Sequence, residues 1–143
     1  MVGVDHGIRL VERQILFQSH HPHIDHISPQ IGYYSTKVIL TGRRFGWKGT
    51  VDTEFKKKDG KINIDLWTDT KIIFTIPLNW KLGKINVWAE KTIEWDGKPL
   101  HIKSNLVEMK LISRDNGWDA EDDEYFKQME VADPEARKIN GYE

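Results

Sequence analysis

The chain has no cysteine, which excludes a disulfide framework, a thiolate metal site and a cysteine nucleophile. It does not fix the compartment, because exported domains also do without cysteine. No apolar run approaches the roughly 20 residues a membrane-spanning helix needs. Residues 1–18, "MVGVDHGIRLVERQILFQ", carry Asp5 and Glu12 inside their apolar stretch and have no small-residue cleavage site, so they do not read as a signal peptide. A large charge of one sign is also missing. The formal net charge is −1, so overall charge gives no drive toward nucleic acid or an anionic membrane. The signatures of a phosphate-binding glycine loop, a GxSxG elbow and an HExxH helix are all absent.

Charge is nevertheless divided along the chain. Residues 1–112 hold 17 Lys+Arg against 12 Asp+Glu, and residues 113–143 hold 4 against 10. The change falls at "SRDNG", residues 113–117, a turn-like cluster. At 143 residues there is room for one ordinary domain with extensions. We divide the chain into an N-terminal extension or linker (1–21), a domain (22–112) and an acidic tail (113–143).

Between residues 22 and 112 the pattern is that of short strands. "KVILTG" (37–42), "GTVDTEF" (49–55), "KINIDLW" (61–67), "KIIFTIP" (71–77), "KINVWAEKTI" (84–93) and "SNLVEMKLI" (104–112) are rich in β-branched and aromatic residues. Several alternate with period two, as in Ile72, Phe74 and Ile76, or Ile85, Val87 and Ala89. Asp-Gly pairs at 59–60 and 96–97 suit tight hairpins. This argues for an all-β sandwich or barrel. The predicted core holds Ile39, Phe45, Ile64, Phe74, Ile76, Ile85, Val87 and Met109.

The tail reads as helix. Trp118, Tyr125, Phe126 and Met129 form a helical stripe. Asp133 stands as N-cap with Pro134 at the first helical position and Gly141 as the stop. The stripe predicts that the tail docks on the domain or on a neighbour. "GIRLVERQILFQ" fits strand and helix equally.

Four phrases, in order, carry a resemblance. They are "PHIDHISPQIG", "KVILTGRRFG", "LWTDTKIIFTIP", and the pair "GKINVWAE" and "SNLVEMKLI". Together they resemble the IPT/TIG domain, an immunoglobulin-like fold shared by plexins, Rel-type transcription factors and many bacterial surface proteins. The resemblance covers about two thirds of the chain. It implies an immunoglobulin-like β-sandwich with the N-terminal extension and the helical tail attached. The chain departs from the family at "YYST" before the second strand and in the long hairpin "EKTIEWDGKPLHIK", both of which alter loops.

The histidines His20, His21, His23 and His26, with Asp25, invite a metal reading. In a first strand, however, His23 and Asp25 share one face while Ile24 and His26 share the other. Convergence of three or four ligands is therefore not expected. Neither a metal nor a cofactor is assigned. "DNGWDAEDDE" approaches a calcium loop only loosely, and "FKKKDGK" reads as a solvated hairpin tip.

Six tryptophans in 143 residues are more informative. Trp67 fits a semi-buried position, Trp88 lies on the face opposite Ile85, Val87 and Ala89, and Trp47, Trp80 and Trp95 fall in turns. Successive loops of such a sandwich alternate between its ends. Trp47, Trp95 and the "WTDT" turn then share one end, and Trp80 falls at the other. The candidate binding patch is Trp47 and Trp95 rimmed by Arg43, Arg44, Asp69 and Asp96. No base, nucleophile or metal converges there, so binding without turnover is expected. The expected role is a non-catalytic extracytoplasmic or cell-surface module, a spacer or a binder of a protein or glycan, within a larger protein or assembly. The alternative is a cytosolic dimerising or nucleic-acid-binding module of the Rel type. The balanced charge and the lack of a basic recognition loop disfavour it, and no nucleic-acid partner is expected. Alternatively, the indoles cover sheet edges or pack against the terminal helix.

Overall fold

The computed structural model describes residues 21–54, 62–113 and 120–142. The side chains of Trp95 and of residues 120–123 lie outside that description, as do the N-terminal stretch 1–20, the "KKKDGK" tip and Trp118. Nine strands are described: β1 (His23–Ser28), β2 (Ile31–Gly32), β3 (Lys37–Arg43), β4 (Gly49–Thr53), β5 (Asn63–Trp67), β6 (Lys71–Thr75), β7 (Gly83–Trp95), β8 (Lys98–Lys103) and β9 (Val107–Leu111). Two helices follow, α1 (Ala120–Val131) and α2 (Pro134–Ile139).

The strands form two sheets, ordered β1-β3-β6-β5 and β2-β9-β7-β4, with β8 added on β7. The first order, and the β9-β7-β4 run of the second, follow the two sheets of an immunoglobulin constant-type domain. The chain is an all-β, immunoglobulin-like sandwich carrying two C-terminal helices. Its core comes from the alternation read in the sequence. Val38 pairs with Phe74 and Leu40 with Ile72, and all four point inward and are fully buried. Facing them are Val51, Ile85, Val87, Ala89 and Met109 from the second sheet.

Ile39 and Ile73 are in the opposite phase, on the outer face of the first sheet. They are buried nonetheless, because Ala136 of α2 packs over them. Ile39 therefore belongs to a second layer rather than to the sandwich core. Side chains at Asn140 complete this docking. Its Oδ1 accepts a hydrogen bond from the Lys37 N–H at 2.8 Å, and its Nδ2 donates to the Lys37 carbonyl at 2.8 Å. The amide thus stands in for one residue of an adjoining strand. Helix α1 lays Tyr125 and Met129 on Ile31 and Ile112, with Tyr33, Phe126 and Tyr142 around them. Burial pushes the Tyr125 hydroxyl pKa well up. The charge division of the sequence has a local counterpart in Lys71–Glu135 at 2.6 Å and Lys110–Glu124 at 3.1 Å.

Asp133 stands at the N-cap position of α2 but makes no side-chain cap bond. Its carboxylate lies 3.5 Å from His26 Nε2, and its N–H donates to Ser28 Oγ at 3.2 Å.

Two strand irregularities change what alternation predicts. In β1 the register shifts between Ile24 and His26. The extra residue turns His26 away from the face of Ile24, so Ile24 and Ile27 enter the core while Asp25 and His26 are exposed. His26 was expected beside Ile24; the bulge is the reason it is not. In β5 a shift between Ile64 and Leu66 interrupts the same pattern on an edge strand. Ile64 is consequently only partly buried, where sequence alternation predicts core, and Leu66 is exposed.

The long hairpin of the sequence becomes the outer half of β7 with β8. Strands β8 and β9 lie along one edge of β7, at Glu90–Trp95 and Gly83–Val87 respectively. Between them Ser104 stays paired: its N–H donates to the Ala89 carbonyl, and its Oγ accepts from the Ala89 N–H. Asn105 then reaches across to the first sheet. Its Oδ1 accepts from the Ile24 N–H at 2.7 Å and its Nδ2 donates to the Ile24 carbonyl at 3.0 Å. Each such bond is worth about 0.5–1.5 kcal/mol net, and together they fasten one open side of the sandwich.

Candidate functional site

The site is built at the end of the sandwich where β3 turns into β4. Arg44 (φ 61°) and Gly46 (φ 76°) both take left-handed backbone conformations. They reverse the chain on either side of Phe45 and send its ring inward, where it is fully buried. Positive φ is uncommon at arginine, so this turn is held from outside. The Phe45 N–H donates to the Asp69 carbonyl at 2.9 Å, and the Gly46 N–H to Asp69 Oδ1 at 3.0 Å. Trp67 Nε1 donates to the Phe45 carbonyl at 3.2 Å, and Lys91 Nζ to the Arg44 carbonyl at 2.7 Å.

Asp69 is itself placed by the turn between β5 and β6. There Thr68 Oγ1 accepts from the Lys71 N–H at 2.9 Å and donates to the Lys71 carbonyl at 3.1 Å, the local bonding that "TDT" predicts. Gly49 lets the Trp67 indole lie against the start of β4. A Cβ at Gly49 would stand 2.8 Å from that ring and 2.2 Å from the Glu90 carbonyl oxygen.

The polar groups of the loop are thus satisfied inward, and Trp47 is left 95% exposed. Among the indoles whose side chains are described it is the one open to solvent. Trp80, expected in an exposed turn, is 7% exposed and packs on Phe74 at 5.6 Å. Apolar contact with a core ring overrides its place in a connection. Trp67 is half-buried, and Trp88 lies on the outer face with the Lys103 ammonium 3.7 Å from its ring centroid.

Of the six predicted patch residues, Trp47, Arg44 and Asp69 are brought together by this loop. Arg44 Nε donates to the His21 carbonyl at 2.9 Å and the side chain remains exposed. Arg43 turns to β1, where its guanidinium lies 3.6 Å from an Asp25 oxygen that His23 also approaches at 3.4 Å. Asp96 (φ 55°) and Gly97 (φ 76°) form the β7–β8 turn, the Asp-Gly hairpin expected. Residue 95 lies four positions along β7 from the Gly49–Lys91 pair. At about 3.3 Å per residue the hairpin tip projects roughly 13 Å past the start of β4. The Trp95 indole lies outside the described residues.

Lys91 is the member of the site that the motif reading passed over. It is 5% exposed, and burial lowers its pKa, with Arg44 adding to the effect and Asp69 opposing it. The signal was present: Ile85, Val87, Ala89 and Lys91 alternate, so a lysine occupies an inward phase. Burial also lowers the pKa of His21, and the positive charges of Arg44, His23 and Lys91 lower it further. His23 and His26 find separate carboxylates, Asp25 and Asp133. Among the described residues no three His, Asp or Glu side chains are grouped to hold a metal. At the opposite end lies a groove of about 410 Å³ lined by Tyr33, Tyr34, Pro77, Trp80 and Leu82, with no charged side chain in its wall.

No family model and no curated protein matches the sequence. Among solved structures, the chain is similar to gamma-CGTase from alkalophilic Bacillus clarkii. The identity is 29% over 64% of this chain and 12% of that one, with a TM-score of 0.49. It is also similar to a Bacteroides thetaiotaomicron chain assigned as a phosphatase, at 17% identity over 66% of this chain and 19% of that one, with a TM-score of 0.45. The chain therefore matches less than a fifth of the length of either protein. The immunoglobulin-like fold is shown by strand order and register.

Proposed function

We propose that the chain is a non-catalytic binding module of the IPT/TIG kind, part of an extracytoplasmic protein, and that it holds a glycan against Trp47. The extracytoplasmic setting follows from the resemblance to bacterial surface domains. The observation that carries the binding reading is the 95% exposure of one indole on a loop whose backbone is fixed by Phe45, Asp69 and Lys91. Leaving an indole in water forgoes the 1.5–3 kcal/mol that burying a large apolar side chain typically gives. A rigid loop that does so presents a flat apolar face at low ordering cost on binding, and a sugar ring offers the matching face. Among the described residues around it, Asp69 and Lys91 hold the loop through hydrogen bonds to its backbone, a supporting role that fits binding.

The test is a glycan microarray probed with the wild type and with Trp47→Ala. We expect at least one glycan retained by the wild type and bound tenfold or more weakly by the variant, at unchanged thermal stability. Equal retention by both proteins would move the site away from Trp47, and retention of no glycan would contradict the reading.

A further inference from the structure

We infer that the glycan bound at this end is acidic, a sugar polymer bearing carboxylates, with its ring on Trp47 and its charge between Arg44 and Lys48. This rests on the reading of the Trp47 loop as the binding end and names the class of its ligand. Arg44 and Lys48 flank Trp47 in the same loop and both are exposed. Among the described residues neither is paired with a carboxylate. The nearby acids are already engaged. The exposed Asp69 carboxylate accepts from the Gly46 N–H, Asp25 serves His23 and Arg43, and Glu90 turns toward His101 at 3.9 Å on the outer face of β7. Glu94 and Asp96 belong to the hairpin tip.

A further cation lies behind the loop: Lys91 is buried there and its ammonium donates to the Arg44 carbonyl at 2.7 Å. An anion approaching Trp47 therefore meets two exposed cations in front and Lys91 behind them. A neutral glycan would leave Arg44 and Lys48 unused.

An anionic membrane shares the charge but fits the loop less well. Of the other exposed large apolar side chains among the described residues, Tyr34, Leu78 and Leu82 line the groove at the opposite end, while Leu66, Leu106 and Val131 are not part of it. The loop would insert one indole only, and a single apolar anchor gives marginal membrane binding.

Four probes separate the classes: polygalacturonate, neutral dextran, poly-L-glutamate, and vesicles of phosphatidylglycerol and phosphatidylcholine. Each is tested by affinity electrophoresis or flotation against the wild type, Trp47→Ala and the double variant Arg44→Gln/Lys48→Gln. We expect polygalacturonate to be bound. The binding should weaken tenfold or more in each variant and several-fold between 50 and 300 mM NaCl. Dextran bound as well as polygalacturonate, and lost with Trp47→Ala, would overturn the acidic class while leaving Trp47 as the binding residue. Poly-L-glutamate or vesicles bound in place of polygalacturonate would replace the sugar with an acidic peptide or a lipid surface. Polygalacturonate bound equally by all three proteins would place the site elsewhere and overturn both readings. Binding to none of the probes would overturn the acidic class alone, since the microarray decides the broader one.

Discussion

Truncating Phe74 to alanine is expected to cost roughly 3–5 kcal/mol, the range for a buried phenylalanine whose neighbours cannot close the space. Phe74 is fully buried on β6, an inner strand of the first sheet, between Val38 of β3 and Ile64 of β5. Its ring packs at a tilt against Trp80, the indole at the far end of the sandwich. The cavity would open in the middle of the core, where sheet pairing on both sides resists collapse. Urea unfolding followed by tryptophan emission measures the loss. A loss below about 1 kcal/mol would put Phe74 outside the core and undo the pairing of β3, β6 and β5.

Phe45→Ala is expected to cost a similar amount, roughly 3–5 kcal/mol, with a second consequence that Phe74→Ala lacks. The Phe45 ring is the plug on which the Arg44–Gly46 reversal turns, and it meets the Trp67 ring edge-on at 6.4 Å. Without it, the turn at Arg44 keeps its backbone hydrogen bonds but loses the ring that seats it in the core. Binding through Trp47 should then weaken even at temperatures where the variant is fully folded, whereas Phe74→Ala should leave the affinity of its folded fraction unchanged. Urea unfolding paired with a binding isotherm at low temperature separates the two. Full-strength ligand binding by folded Phe45→Ala would show that the loop is not positioned by that ring.

Which features could be read from the sequence depends on whether their cause is local. Period-two alternation is local, so Ile72, Phe74 and Ile76, and likewise Ile85, Val87 and Ala89, lie inward as expected. The "TDT" turn and the Asp96–Gly97 hairpin are local too. Ile39 and Ile73 interrupt the alternation by being apolar on the wrong face, which signals a cover, and α2 supplies it. What escaped depends on partners distant in sequence. The bulge at Asp25 lies between the pairing of β1 with β3 and the bond from the Ile24 N–H to Asn105, 81 residues away in sequence. The buried Trp80 needs Phe74, and the partial exposure of Ile64 follows from β5 being an edge strand. In the site, exposure of Trp47 was readable from its place in the β3–β4 loop. Arg43 was misplaced in the patch because the strand carries its side chain toward Asp25 rather than into the loop. Lys91 was visible only as a lysine in an inward phase, and its hydrogen bond to Arg44 required the tertiary structure.

The central claim is that ligand meets this domain at Trp47 and not in the apolar groove at the other end. The most direct measurement follows the indole N–H signals of ¹⁵N-labelled protein, assigned by single Trp→Phe variants, while polygalacturonate is added. The account predicts that the Trp47 signal moves with saturation while those of Trp67, Trp80 and Trp88 stay in place. Movement of the Trp80 signal with Trp47 unchanged would put the ligand in the groove and contradict it.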